Sequence, residues 1–157
     1  MLSTAGMQHR ADWKPRPGDM SLVTDIRNNL LPGGSLAVSG GEELVPILNR
    51  YIEAFASQGL PVYATRDWHP QQHCSFRPQG GSWPIHCVAG AQGAQFAAAL
   101  TLPRDATVIS KATSRDQEAN SSFQGTDLAC RMSASTRQRI SPACSQPCVV
   151  WRNSTTG

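Results

Sequence analysis

Apolar residues fall along this chain in short bursts between polar stretches rich in proline and glycine. Ser21-Leu-Val-Thr-Asp25 is a β-rich run that leads to a turn at Leu31-Pro-Gly-Gly-Ser35, and it reads as a strand. From Glu42 to Gln58 the period changes. Leu44, Ile47, Leu48, Tyr51, Ile52 and Phe55 recur three and four residues apart, which predicts an amphipathic helix with one buried stripe. Pro46 is tolerated in the first turns, Glu42 and Glu43 sit at the positive end, and Gly59 supplies a stop. Pro61-Val-Tyr-Ala-Thr65 reads as a second strand and Thr107-Val-Ile-Ser110 as a third, and Thr126 to Met132 begins another helix.

Strand, helix, strand, crossover, strand is the order of an α/β domain whose parallel sheet carries helices on its faces. Between the second and third strands lie about forty residues rich in Pro, Gly, His and Trp, with an alanine-rich segment at 95–100. Loops of that length in a compact domain are functional or disordered, and Trp68, Trp83 and the histidines argue against disorder. In parallel sheets ligands gather outside the carboxyl ends of the strands. Asp25, Asp67 and Lys111 stand at or just past those three ends.

Composition narrows the class. The 157 residues suit one domain, and 39% hydrophobic with 16% charged residues fits a packed core rather than a disordered chain. No run approaches the ~18 apolar residues of a membrane span. The polar start, residues 1–12, lacks a signal-peptide core, so a cytoplasmic protein with no membrane partner is expected. Of the 14 basic residues, Arg131, Arg137, Arg139 and Arg152 follow residue 130, where there is no Asp or Glu. The rest nearly balance the 11 acids, so no dense basic face for nucleic acid is expected. The five cysteines form no Cys-x-x-Cys pair, which favours reduced thiols over a disulfide scaffold or a zinc finger.

Asp67-Trp-His69-Pro-Gln-Gln-His73, followed by His86, gathers one carboxylate and three imidazoles in one loop. That donor set suits zinc, iron or manganese; the alternative is solvent-exposed histidines and a turn-capping Asp67. Lys111 either lowers the pKa of a neighbouring thiol or snorkels to solvent. Asp25 is either a general base or a turn former before Asn28-Asn29.

Several segments together are similar to the nicotinamidase (pyrazinamidase) branch of the isochorismatase-like cysteine hydrolases. They are Leu31-Pro-Gly-Gly-Ser-Leu-Ala-Val38, Val62-Tyr-Ala-Thr-Arg-Asp-Trp-His-Pro70, His73-Cys-Ser-Phe76, Trp83-Pro-Ile-His-Cys-Val-Ala-Gly90, Ile109-Ser-Lys-Ala112 and Phe123-Gln-Gly-Thr-Asp-Leu128. The resemblance runs from about Gly18 to about Cys130. It implies a three-layer fold, mainly parallel, and hydrolysis of nicotinamide to nicotinate and ammonia in NAD salvage. It implies Asp25 and Lys111 as two members of an Asp–Lys–Cys triad. It further implies Asp67, His69, His73 and His86 as ligands of one divalent transition metal ion, and Trp83 as a ring-stacking pocket residue. Trp83 reads nearly as well as a loop anchor that buries apolar area. The histidine loop separates this branch from enzymes of the same fold acting on isochorismate.

The chain departs from the family in two places. Arg27 stands where the family usually has Gln, Asn29 where it has Asp, and Leu30 where it has an aromatic. Residues 25 and 27 share a face if the strand continues, so Arg27 is expected to pair with Asp25, favour its ionised form and weaken turnover. Beyond Cys130 the family continues to an Ala-Thr-Asp-Tyr-Cys-Val-like nucleophile segment. Here residues 131–157 are rich in Ser, Thr, Arg, Pro and Cys, and only Cys148-Val149 resembles that segment. The chain thus divides into a leader at 1–17, a hydrolase portion at 18–130 and an atypical tail at 131–157. A missing or altered C-terminal portion, from a reading-frame change near residue 130, is favoured over an unusual natural terminus. With about half of the family's strands, the sheet is expected to expose an edge. The rival to an impaired amidase is an inactive homologue that only binds metal.

Overall fold

The computed structural model describes residues 13–136 and 148–151. Three parallel strands, β1 (Met20–Thr24), β2 (Val62–Asp67) and β3 (Thr107–Lys111), form the sheet. A fourth strand, β4 (Cys148–Trp151), runs antiparallel to β1, giving the order β3-β2-β1-β4. Helices α1 (Leu44–Ala56) and α2 (Leu128–Thr136) complete the α/β architecture.

The alternation of side chains along a strand sorts the apolar residues into two cores. Val23, Val62 and Ala64 face α1 and meet Val45, Leu48, Ile52 and Phe55. Met20, Leu22, Tyr63 and Ile109 form the other core with Leu128 and Met132 of α2. The Tyr63 hydroxyl is polar and cannot be left bare in that second core. It lies 2.6 Å from the Ser135 hydroxyl and donates to the Arg131 carbonyl at 3.2 Å.

The predicted helix at 42–58 is found as a 3₁₀ turn at Gly41–Glu43 followed by α1. Its buried stripe includes Val45 in place of Leu44, which is exposed. The period predicts a stripe but does not say which of two adjacent apolar residues at the helix start belongs to it. Gly59 ends the helix with φ of +65°, and the Leu60 N–H donates to the Phe55 carbonyl at 3.0 Å, an αL-type stop. Trp13, from the expected leader, packs on Tyr51 and Phe55 at ring separations of 5.3 and 5.8 Å. Residues 1–12 of that leader lie outside the described residues.

Within the expected tail, Cys148-Val-Val-Trp151 forms β4, in keeping with the β preference of Val and Trp. It pairs along β1. The helix expected to begin at 126 begins at Leu128, with the Thr126 hydroxyl accepting the Leu128 N–H at 3.3 Å.

The rotated stripe is testable. Phe55 is fully buried and Leu44 is exposed. Phe55→Ala should therefore cost about 3–5 kcal/mol in urea denaturation, whereas Leu44→Ala should stay within about 0.5 kcal/mol.

Candidate functional site

Parallel pairing of β2 and β3 sets Asp67 directly beside Lys111, at the carboxyl end of the sheet. The Lys111 ammonium donates to Asp67 Oδ1 and to the Ala119 carbonyl at 3.1 Å, and it lies 3.6 Å from Asp25 Oδ2. Asp25 follows β1, where its N–H donates to the Thr65 carbonyl at 3.1 Å. The structure thus brings together all three ionisable residues expected at the strand ends.

A fourth charge joins them. Arg27 is only 1% exposed, with Nη1 2.7 Å from Asp67 Oδ2 and Nη2 3.4 Å from Asp25 Oδ1. The expected pairing with Asp25 is present, but the closer partner is Asp67. The Arg27 charge favours the ionised form of Asp25 as expected, but it does not prevail. Burial pushes its carboxyl above the ordinary range, although the Arg27 and Lys111 charges pull the other way. Burial acts likewise on Asp67, but there Arg27 and Lys111 prevail and hold the carboxyl below its ordinary range. Proximity explains the difference, since Asp67 contacts both cations directly and Asp25 stands farther from each.

The long loop is folded back on the sheet by backbone bonds. The His69 N–H donates to the Cys87 carbonyl at 2.9 Å, and the Ala89 N–H donates to the His69 carbonyl at 2.8 Å. His69 Nδ1 bonds the Ala112 carbonyl at 3.3 Å, and His86 Nδ1 bonds the Pro84 carbonyl at 2.8 Å. A carbonyl accepts only, so each Nδ1 must carry a proton, which leaves Nε2 as the ligating nitrogen of the neutral ring. Burial lowers the His69 pKa to about 4, so this imidazole is neutral near pH 7. One donor atom each from Asp67, His69 and His86 lie within 4.8 Å of one another. Two imidazoles and one carboxylate, all buried, fit a divalent ion with positions left for a further ligand.

His73 is placed differently from the other expected ligands. Its Nδ1 lies 2.8 Å from the Ser75 hydroxyl and its Nε2 donates to the Gln117 carbonyl at 3.0 Å. Both nitrogens are engaged, and the ring packs on His69 with centroids 4.2 Å apart. Phe76, fully buried, touches all three imidazoles at ring separations of 5.5 to 5.7 Å. Trp83 is half exposed and bridges to Phe76 through its backbone.

Three non-glycine residues with positive φ border this site: Asp25 at +61°, Cys87 at +47° and Ala112 at +49°. Such strain collects where the surroundings impose it. Here it sets a carboxylate and the two carbonyls that receive His69. No one-dimensional pattern marks those positions. The Asn29 side chain, which accepts the Cys87 N–H at 2.8 Å, was also missed as a site support, although its departure from the family's Asp pointed to it.

Cys87 borders the site but offers no activated thiol. Cys87 is fully buried, and burial pushes its thiol up to about 11. Cys130 is exposed on α2. Cys148 begins β4 with its backbone paired to Val23.

Comparisons with known proteins agree with this geometry. A family model described as "Isochorismatase domain" matches residues 19–141. A nicotinamidase of Acinetobacter baylyi is 34% identical over 122 residues, covering 68% of this chain and 55% of the relative. A pyrazinamidase of Pyrococcus horikoshii solved in complex with zinc is 47% identical, with a TM-score of 0.70 over 73% of this chain and 63% of that one. PnC1 from L. infantum in complex with nicotinate is 37% identical, with a TM-score of 0.65 over 71% and 58%. The chain spans about half the length of the curated relatives it matches.

Two outcomes check the site. A Cβ at Gly93 would collide with the Asn29 carboxamide, so Gly93→Ala should lower stability by about 1–3 kcal/mol in thermal or urea unfolding. The second concerns pH. His69 has a folded pKa of about 4 against 6.5 for the free side chain. The unfolded chain therefore takes up the proton first, and stability should fall as pH drops from 6.5 towards 4. In chelator-treated protein, His69→Gln should flatten that slope.

Proposed function

The chain belongs to the isochorismatase family, and from that footing we propose that it is a metal-dependent amidase that hydrolyses nicotinamide to nicotinate and ammonia. The reading places it in NAD salvage. One observation carries it: Asp25 and Lys111, 3.6 Å apart, stand beside the buried donor set of Asp67, His69 and His86. The named activities of the relatives and the zinc and nicotinate of two neighbours support the same reading.

Each residue then has a task. Asp67, His69 and His86 hold the ion, with His73 packed behind His69 to fix its ring. An ion held there would supply an electrophilic anchor for the pyridine nitrogen. Trp83, half exposed, stacks on the pyridine ring. Asp25 has a raised proton affinity, which suits a base that accepts a proton from the attacking nucleophile. Lys111 stabilises the resulting anion by its charge. The nucleophile bonds to the carboxamide carbon, Asp25 passes the proton it took to the departing nitrogen so that the C–N bond breaks and ammonia leaves, and water then hydrolyses the acyl–nucleophile bond to give nicotinate and the free nucleophile.

A second reading, a metal-binding homologue without turnover, is favoured by the state of the thiols. Cys87 is protonated and inaccessible, and Cys130 stands on α2.

The two readings part on one assay. Ammonia release from nicotinamide should be measurable with purified protein, stop with a chelator, return with zinc or manganese, and fall at least about 100-fold in Asp25→Asn. Stoichiometric metal with no ammonia release would establish the second reading in place of the first.

A further inference from the structure

The charges around Asp67 hold information that the amidase reading does not use. Asp67 Oδ1 is taken by Lys111, and Asp67 Oδ2 lies 2.7 Å from Arg27 Nη1. That second oxygen is also the one 3.9 Å from His69 Nε2. The guanidinium therefore occupies the flank of Asp67 that faces the metal-binding imidazole.

Counting charge leads to the same place. Two carboxylates, Asp25 and Asp67, meet two cations, Arg27 and Lys111, in a largely buried pocket. The ion pairs balance without a metal. A divalent ion added to this quartet brings two uncompensated charges into a poorly solvated site, and such excess is costly. With a neutral residue at position 27, the same pocket would carry one net negative charge and would favour a cation.

The contact is electrostatic more than directional. Arg27 Nη1 and Nε make no well-aligned hydrogen bond, although Nη1 is in ion-pair range of Asp67. A guanidinium held mainly by charge can be displaced by a stronger cation. It is also confined, since its side chain is 1% exposed and its backbone is bridged to Phe96.

We propose that Arg27 is a resident competitor of the metal ion, neutralising Asp67 in the empty site and weakening divalent-ion binding until it is displaced. The proposal rests on the metal site assigned above to Asp67, His69 and His86. Arg27 acts through Asp67 and is a positioning residue for the ion, not a catalytic one. Its effect is on occupancy, and so it precedes any effect on turnover.

The test measures metal affinity, not activity. Apo-protein is titrated with Zn²⁺ against a chromophoric chelator, and separately with Co²⁺ followed by visible absorption. Wild type is compared with Arg27→Gln, Arg27→Met, Arg27→Lys and His86→Ala, each first checked for native far-UV circular dichroism. Arg27→Gln and Arg27→Met should bind at least about tenfold more tightly than wild type. Arg27→Lys, which keeps the charge, should stay within about threefold of wild type. Equal affinity in wild type and the neutral variants, with binding lost in His86→Ala, would overturn the competition and leave the metal site standing. No binding in any folded variant would overturn both. One measurement needs no substitution at Arg27: in wild type, Zn²⁺ should shift the Arg27 Nε–H resonance. An unmoved resonance in zinc-loaded protein would overturn the proposal even if no Arg27 variant folds.

Discussion

The site depends on the pairing of Asp67 with Lys111 across β2 and β3. Buried charges are costly unless they are matched, and this pair is matched by register alone. In a parallel ladder neighbouring residues point to the same face, and a slip of one position would turn Lys111 to the opposite side of the sheet. The apolar sorting prevents that slip. Ile109, two residues before Lys111, is buried in the core shared with α2, so a change of register would expose Ile109 as it misplaced Lys111. The same hydrophobic packing that holds the sheet therefore aims the charges. Arg27 and Asp25 then gather on a carboxylate whose position is already set.

The second layer of control is backbone geometry. Ala112 and Cys87 adopt left-handed conformations, and their carbonyls receive His69 Nδ1 and the His69 N–H. The cost of this strain, of order 1–3 kcal/mol at each position, is offset by packing around Phe76 and the three imidazoles. A less confined loop would let the rings turn and would scatter the Nε2 lone pairs. Preorganisation of this kind matters most for a small ion, whose ligands must converge within a narrow range of distances.

Much of this was legible in the sequence because strand ends and helix periods are local. Asp25, Asp67 and Lys111 follow short β-rich runs, and that position alone brings them to one end of a parallel sheet. The crossing of two distant loop arms at His69 and Cys87 was not legible, because it depends on backbone hydrogen bonds that carry no residue preference. The same limit applies to His73. It shares a short motif with His69, yet the Ser75 hydroxyl and the Gln117 carbonyl engage both of its nitrogens, and Gln117 is 44 residues away. Arg27 shows a third limit. Its identity and its face were visible, but whether it met Asp25 or Asp67 depended on the distance between adjacent strands. The direction of the Asp25 shift depended on burial, which periodicity does not measure at a strand end.

The residues of the site have a further property in common. Asp25, Arg27, Asp67, His69, His86 and Lys111 all lie between positions 25 and 111, on the segment after β1, on β2 and β3, and on the loop between β2 and β3. The partners that orient them, Pro84, Cys87, Ala112 and Ala119, lie no farther along than residue 119. Helix α2 packs on the sheet through a different set of contacts, Met20, Leu22, Tyr63 and Ile109. The donor set is thus assembled from three strand ends and one loop, by contacts that α2 does not share. The amidase reading needs, in addition, a nucleophile delivered to Asp25 and Lys111, and Cys87, buried with its thiol pushed up to about 11, is not one.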